Sequence, residues 1–298
     1  MHMHHDHHRE RTSKNQRRLV LALVLAAAYM VAEIIGGLLT NSLALLADAG
    51  HMLSDVTALG LSFFAVWFAG RSAPSHRTFG YYRAEILAAL VNGALLFAIS
   101  IVIFVEALQR FGRPPEVQGP LMMTIAIGGL LVNLASLAIL RGGRQENLNI
   151  RGAWLHVVMD ALGSVGAIVA GGLISLFGWY LADPIASVLI VLLVIYSAWH
   201  LLSEAVSVLM ESAPRGIDVD QVREAMLDIA DVTGVHDLHV WTITSGFDSL
   251  SAHVVIGDGA RHAEVLSRLR ERLYERFGID HVTIQIEPED FEERATCV

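Results

Sequence analysis

Six apolar runs dominate this chain and leave few folds open to it. They cover residues 19–39, 43–69, 86–108, 121–140, 153–177 and 184–209, each close to the ~20 residues that a helix needs to cross a bilayer. In hydrocarbon, backbone amides and carbonyls must be satisfied within the protein, so runs of this length predict helices. The composition agrees, with 54% hydrophobic and only 17% charged residues, as in membrane proteins. The predicted fold class is an α-helical membrane protein with six transmembrane helices, followed by a C-terminal cytoplasmic α+β domain.

Charge is unevenly divided. Residues 1–210 carry 12 acids and 13 bases, whereas residues 211–298 carry 18 acids and 8 bases. Two regions in different solvents are implied: a membrane domain over 19–210 and a soluble domain over 211–298, preceded by a His-rich tail over 1–18. The acidic tail argues against nucleic acid and against an anionic lipid surface as partners. Cys297 is the single cysteine, so no disulfide within one chain is possible. No cleavable signal peptide is evident, because the first apolar run is too long and lacks a small-residue cleavage site.

Loop charges orient the spans. Arg9, Arg11, Lys14, Arg17 and Arg18 precede the first, Arg71, Arg77 and Arg83 follow the second, and Arg141, Arg144 and Arg151 follow the fourth. The loops on the other side hold only Arg110 and Arg113. By the positive-inside rule both termini are cytoplasmic, in the inner membrane of the cell.

The N-terminus, MHMHHDHH, reads either as a disordered or tag-derived tail or as a loose metal-capturing tract. Within the spans, Asn92 and Asn133 suit hydrogen bonds between helices. Glu33 suits either hydrogen-bonded packing or a proton or water path. His200 and Glu204 read as interfacial. Gly36, Gly37, Gly128, Gly129 and Gly171 allow helices to approach closely.

Two stretches stand apart. In the second span, ADAGHMLSD places Asp48, His51 and Asp55 at i, i+3 and i+7, on one helical face. In the fifth, HVVMD repeats the spacing with His156 and Asp160. Ionisable groups at membrane depth are costly and mark ion paths. One such pair suits a structural tie between helices. Two identical pairs supply two imidazoles and two carboxylates, a four-ligand set of the kind zinc takes. Asp48 stands as a further group behind them.

The soluble tail alternates helical and strand periodicity: helix over 218–231, strands over 235–244 and 250–256, helix over 260–277 and strand over 281–287. The order αββαβ predicts a small open-faced α+β domain. His236, His239, His253, His281 and Glu287 fall in or beside its strands, either as exposed strand residues or as a regulatory metal site.

These residues carry a family resemblance. NSLALLADAGHMLSD (41–55), RTFGYYRAEILAAL (77–90), HVVMD (156–160), ADPIAS (182–187), HDLHVW (236–241) and TIQIE (283–287) together resemble the cation diffusion facilitators, a family of divalent-metal exporters. The resemblance covers nearly the whole chain. It implies a homodimer in the bilayer, metal–proton antiport by alternating access, and a transport site of His51, Asp55, His156 and Asp160. Zinc is then the transported ion and a regulatory ligand of the cytoplasmic domain as well, and protons are the counter-ion. Relatives with Asp at the first His position tend to accept cadmium too, so His51 points to zinc. In the cytoplasmic domain the resemblance implies ligands at His236, His253 and Glu287, with a fourth near Asp280 or His281. Where some relatives bind metal between spans two and three, this chain holds Arg77 and Tyr81.

The function expected is export of divalent metal, foremost zinc, from the cytoplasm, with no catalytic residues. Cadmium, cobalt, nickel, iron and manganese are the alternative cargoes. A membrane metalloenzyme is disfavoured, because four protein ligands close a zinc site and no H-E-x-x-H is present. A membrane-anchored metal sensor is the remaining alternative, and it needs no ligands inside the membrane.

Overall fold

The computed structural model describes residues 3–69, 75, 77–141, 148–258 and 261–291, with the backbone alone described at 3–19, 55, 58, 59, 61–69 and 148–152. The side chain of Asp55, the N-terminal histidines, His76 and Cys297 lie outside what is described.

Six long helices follow one another: α1 (Met3–Thr40), α2 (Leu43–Ala69), α3 (Ala84–Gly112), α4 (Gly119–Arg141), α5 (Leu148–Phe177) and α6 (Ala182–Leu209). Five of them are long and apolar enough to cross a membrane among the described residues, and α2 is apolar through its described stretch Leu43–Ser54. They match the six predicted runs. The exception is the N-terminus, where a loose tail is expected and the backbone of α1 instead runs back to Met3. No Gly or Pro interrupts residues 3–35, and Arg, Lys, Gln and Glu favour helix there.

By its internal packing the chain forms two compact units. The first comprises Met1–Phe63 and Val91–Leu202, the second Phe64–Leu90 and Ser203–Val298. The last residues of α2 and α6 and the first of α3 thus fall in the second unit with the C-terminal tail.

The first unit is built inside out relative to a soluble bundle. Val102, Leu176 and Tyr196 are at least 68% exposed, while Ala44, Ala126, Ala167, Ser136, Ser164, Asn92 and Asn133 are buried. Lipid is as apolar as leucine, so helices associate through small residues and interhelical hydrogen bonds. A Cβ on Gly171 of α5 would stand 3.1 Å from the Gly119 carbonyl of α4, and one on Gly129 would stand 2.6 Å from the Tyr29 ring of α1. Asn92 of α3 donates to the backbone and hydroxyl oxygens of Ser54 on α2, and Asn133 of α4 donates to Ser164 of α5.

The start of α2 is fixed by a distant residue. Asp183, at the start of α6 and wholly buried, accepts from the Ser42 hydroxyl at 2.6 Å and from the Leu43 and Ala44 amides at 2.9 and 3.2 Å. These amides have no partner within their own helix, so Asp183 is its N-terminal cap. Arg110 lies 3.8 Å from the same carboxylate and donates to the backbone and side-chain oxygens of Asn41.

In the second unit α7 (Val219–Leu227), β1 (Val232–Thr244), β2 (Phe247–Ile256), α8 (His262–Phe277) and β3 (His281–Pro288) realise the predicted αββαβ order. Sheet order is β1-β2-β3, with β1 and β2 antiparallel and β2 and β3 parallel. Gly246, with φ 74°, closes the two-residue link between β1 and β2. Asp218 caps α7, and Gly278 ends α8 in the left-handed region. One sheet face, with Val240, Leu250, Ala252, Val254 and Ile256, packs on Val222 and Met226 of α7 and on Val265, Leu269 and Leu273 of α8. Among the described residues no helix of this domain packs on the other face, which carries His236, His253 and Glu287.

Candidate metal centres

The first centre lies within the first unit. His51 of α2 places Nε2 3.7 Å from Oδ1 of Asp160, and His156 places Nε2 3.7 Å from Oδ2. The two imidazole rings stand 5.3 Å apart between centroids. One donor atom from each of the three residues lies within 4.8 Å of the others, so a single cation could reach all three. The i,i+4 spacing puts His156 above Asp160 on α5, and α2 brings His51 to both. The predicted partnership of the two helices is therefore present for three of the four residues, while the Asp55 side chain is outside the description.

Asp160 is 8% exposed, and Asp48 is 4% exposed one helical turn from His51. A Cβ on Gly163 of α5 would stand 3.3 Å from Oδ1 of Asp48, so the missing side chain makes room for that carboxylate. Glu33 of α1 is 1% exposed and neighbours Tyr29 and Asp48. Carboxylates so deep are stabilised by a cation or by protons, since burial of bare charge is costly.

The second centre lies on the helix-free face of the sheet. His236 and His253 are cross-strand partners, with ring centroids 5.2 Å apart. Glu287, 2% exposed, reaches both: Oε2 lies 3.0 Å from His236 Nε2, and Oε1 lies 2.9 Å from His253 Nδ1. Gln285 donates to Oε1 of Glu287 at 2.7 Å. These two groups are the compact His and carboxylate clusters among the described residues. His281 is not brought to the second. It pairs with Ser249, whereas His253 pairs with Gln285, four strand positions or roughly 13 Å away, and its ring meets Phe247. His200 and Glu204 are exposed, Glu204 lying 3.8 Å from Arg215. Arg77 stacks its guanidinium 4.7 Å over the Tyr81 ring.

One feature of β1 is absent from sequence periodicity. Between His236 and His239 the chain advances three residues while β2 advances two, from His253 to Ser251. This is a bulge. Asp237 takes up the extra residue with φ 49°. His236 and His239 would face opposite ways in a regular strand. The bulge instead turns His239 to the same face as His236, His253 and Glu287. His239 contacts Asp237 at 2.9 Å, and this hydrogen bond, helped by the nearby imidazoles, holds the Asp237 carboxyl below the ordinary carboxylate value.

Comparison with known families places these centres in context. Residues 19–210 match the model of the cation efflux transmembrane domain, and residues 214–289 match that of the cation efflux protein cytoplasmic domain. The chain is 47% identical to a cadmium, cobalt and zinc/H(+)-K(+) antiporter of Bacillus velezensis, over 94% of this chain and 91% of that protein. It is 44% identical to the zinc transporter ZitB of Escherichia coli, over 92% and 88%. Among solved structures, the metal-bound C-terminal domain of the CzcD transporter from Cuprividus metallidurans is 44% identical, covering 24% of this chain and 99% of that one, with a TM-score of 0.23.

Proposed function

The chain belongs to the cation diffusion facilitator family, a multi-pass membrane family of divalent-metal exporters, and from that membership we propose that it moves zinc out of the cytoplasm in exchange for protons. The observation that carries this reading is the group His51, His156 and Asp160, drawn together from two apolar helices. The transported ion would be held by these three with Asp55, and Asp48 would stand behind them. Two imidazoles and two carboxylates suit zinc in a tetrahedral site, and they disfavour magnesium, which keeps water and oxygen ligands. The names of the relatives support a transition-metal cargo, zinc in Escherichia coli and cadmium, cobalt and zinc in Bacillus velezensis. His51 is the basis for placing zinc first.

The coupling follows from the ligands. Metal needs neutral imidazole and ionised carboxylate, so metal and protons compete for the same atoms. Toward the cytoplasm zinc displaces protons; once the site opens outward, protonation releases the metal. Free histidine titrates near ~6.5, within reach of a physiological gradient. The termini would lie in the cytoplasm and the chain in the inner membrane, as a homodimer whose cytoplasmic centre, His236, His253 and Glu287, senses metal.

Zinc titration of purified protein in the presence of a pH indicator tests this reading. Wild type should release protons as zinc binds, and Asp160→Asn should lose the part of both signals that belongs to the membrane site. Undiminished binding and proton release in Asp160→Asn would remove the transport-site assignment.

A further inference from the structure

We propose that Asp237 is a positioning residue for the cytoplasmic metal centre, holding His253 so that Nδ1 is offered to the metal, and that His239 anchors it. The inference rests on reading His236, His253 and Glu287 as a metal centre.

His253 has two nitrogens with different neighbours. Nδ1 faces Glu287 at 2.9 Å, inside the compact donor group, and Nε2 faces Oδ2 of Asp237 at 3.7 Å. A neutral imidazole has one lone pair and one N–H. If Nδ1 ligates beside Glu287, Nε2 must carry the proton, and a carboxylate is what that proton seeks. Histidines that bind metal commonly donate their second N–H to a carboxylate, which fixes the tautomer, orients the ring and raises its basicity. Hydrogen-bond range lies under about 1 Å of movement from the present separation.

The backbone explains why the carboxylate is there. Asp237 is the extra residue of the β1 bulge and adopts φ 49°, a conformation that Asp and Asn tolerate better than other residues with a Cβ. Its other oxygen, Oδ1, is held 2.9 Å from His239 Nε2. The bulge thus sets His239, Asp237, His253 and Glu287 in one row of polar groups. Asp237, His239 and His253 do not themselves make a second compact donor group among the described residues, so the pair serves the first centre.

The test is zinc binding by full-length protein in nanodiscs, measured against a competing dye. His253→Ala should remove one class of sites, different from the class that Asp160→Ala removes. Asp237→Asn keeps the bulge conformation and removes the charge. It should preserve the number of sites and weaken that same class 10- to 100-fold, with the melting temperature of zinc-free protein unchanged. His239→Ala should weaken it less, and the double variant should be no weaker than Asp237→Asn alone, because His239 acts through Asp237. Affinity within twofold of wild type in Asp237→Asn, or additive losses in the double variant, would overturn the assignment. If His253→Ala changed neither stoichiometry nor affinity, the metal-centre reading itself would fall and the assignment with it.

Discussion

Asp160 is the residue on which the membrane centre turns, since among the described residues it lies 3.7 Å from both histidines. Its role separates two effects that usually move together. Asp160→Asn keeps the shape and removes the charge, so zinc affinity at this site should fall by more than the ~100-fold that an outer-shell change can cause. The same substitution relieves a buried carboxylate of its desolvation, so the metal-free protein should melt at the same or a higher temperature. Isothermal titration and thermal denaturation of one preparation check both. A lower metal-free melting temperature would mean that Asp160 ties helices together instead. The candidate grouping of His51, His156 and Asp160 was visible in the sequence as a repeated spacing, because helical spacing is local: His156 and Asp160 are one turn apart, and so are His51 and Asp55. The role of Asp237 was not legible. It depends on one extra residue in β1, and nothing in HDLHVW announces which residue of the motif bulges.

At the scale of elements, α2 carries His51, and its first turn is held by a residue about 140 positions away. Asp183→Ala would leave the Ser42 hydroxyl and the Leu43 and Ala44 amides buried without their acceptor. Loss of the cap and of those bonds should cost about 2–3 kcal/mol, read as a lower melting temperature in detergent. Asp183→Asn keeps an acceptor oxygen and should cost less. An unchanged melting temperature in the alanine variant would show that the cap is replaced by other groups. Asp183 lies in ADPIAS, one of the stretches that carry the family resemblance, but a cap supplied by another helix is a long-range fact that periodicity does not encode. The histidines of the sheet show the same limit. Alternation along β2 and β3 correctly separates Val254, Ile284 and Ile286 from His253, Gln285 and Glu287. The parallel register of β2 with β3, which carries His281 away from the cluster, appears only when the strands are paired.

For the whole molecule, the six spans and the αββαβ tail were readable because each rests on composition and period alone. Which helix ends share a unit with the tail is not a periodic property: the end of α2, the start of α3 and the end of α6 fall in the second unit. Orientation is open to a direct check through the single cysteine, Cys297. A membrane-impermeant maleimide should label it in inverted vesicles and leave it unlabelled in intact cells. Labelling in intact cells would reverse the topology drawn from the arginine distribution.

Export coupled to protons is tested most directly by flux. Protein reconstituted into liposomes with a pH difference, and with zinc- and proton-sensitive dyes on board, should move zinc one way and protons the other. Both movements should vanish in Asp55→Ala and in Asp160→Ala while the protein stays folded. Zinc movement that persists in both variants, or that proceeds without opposite proton movement, would contradict the assignment of His51, Asp55, His156 and Asp160 as the site where metal and protons exchange.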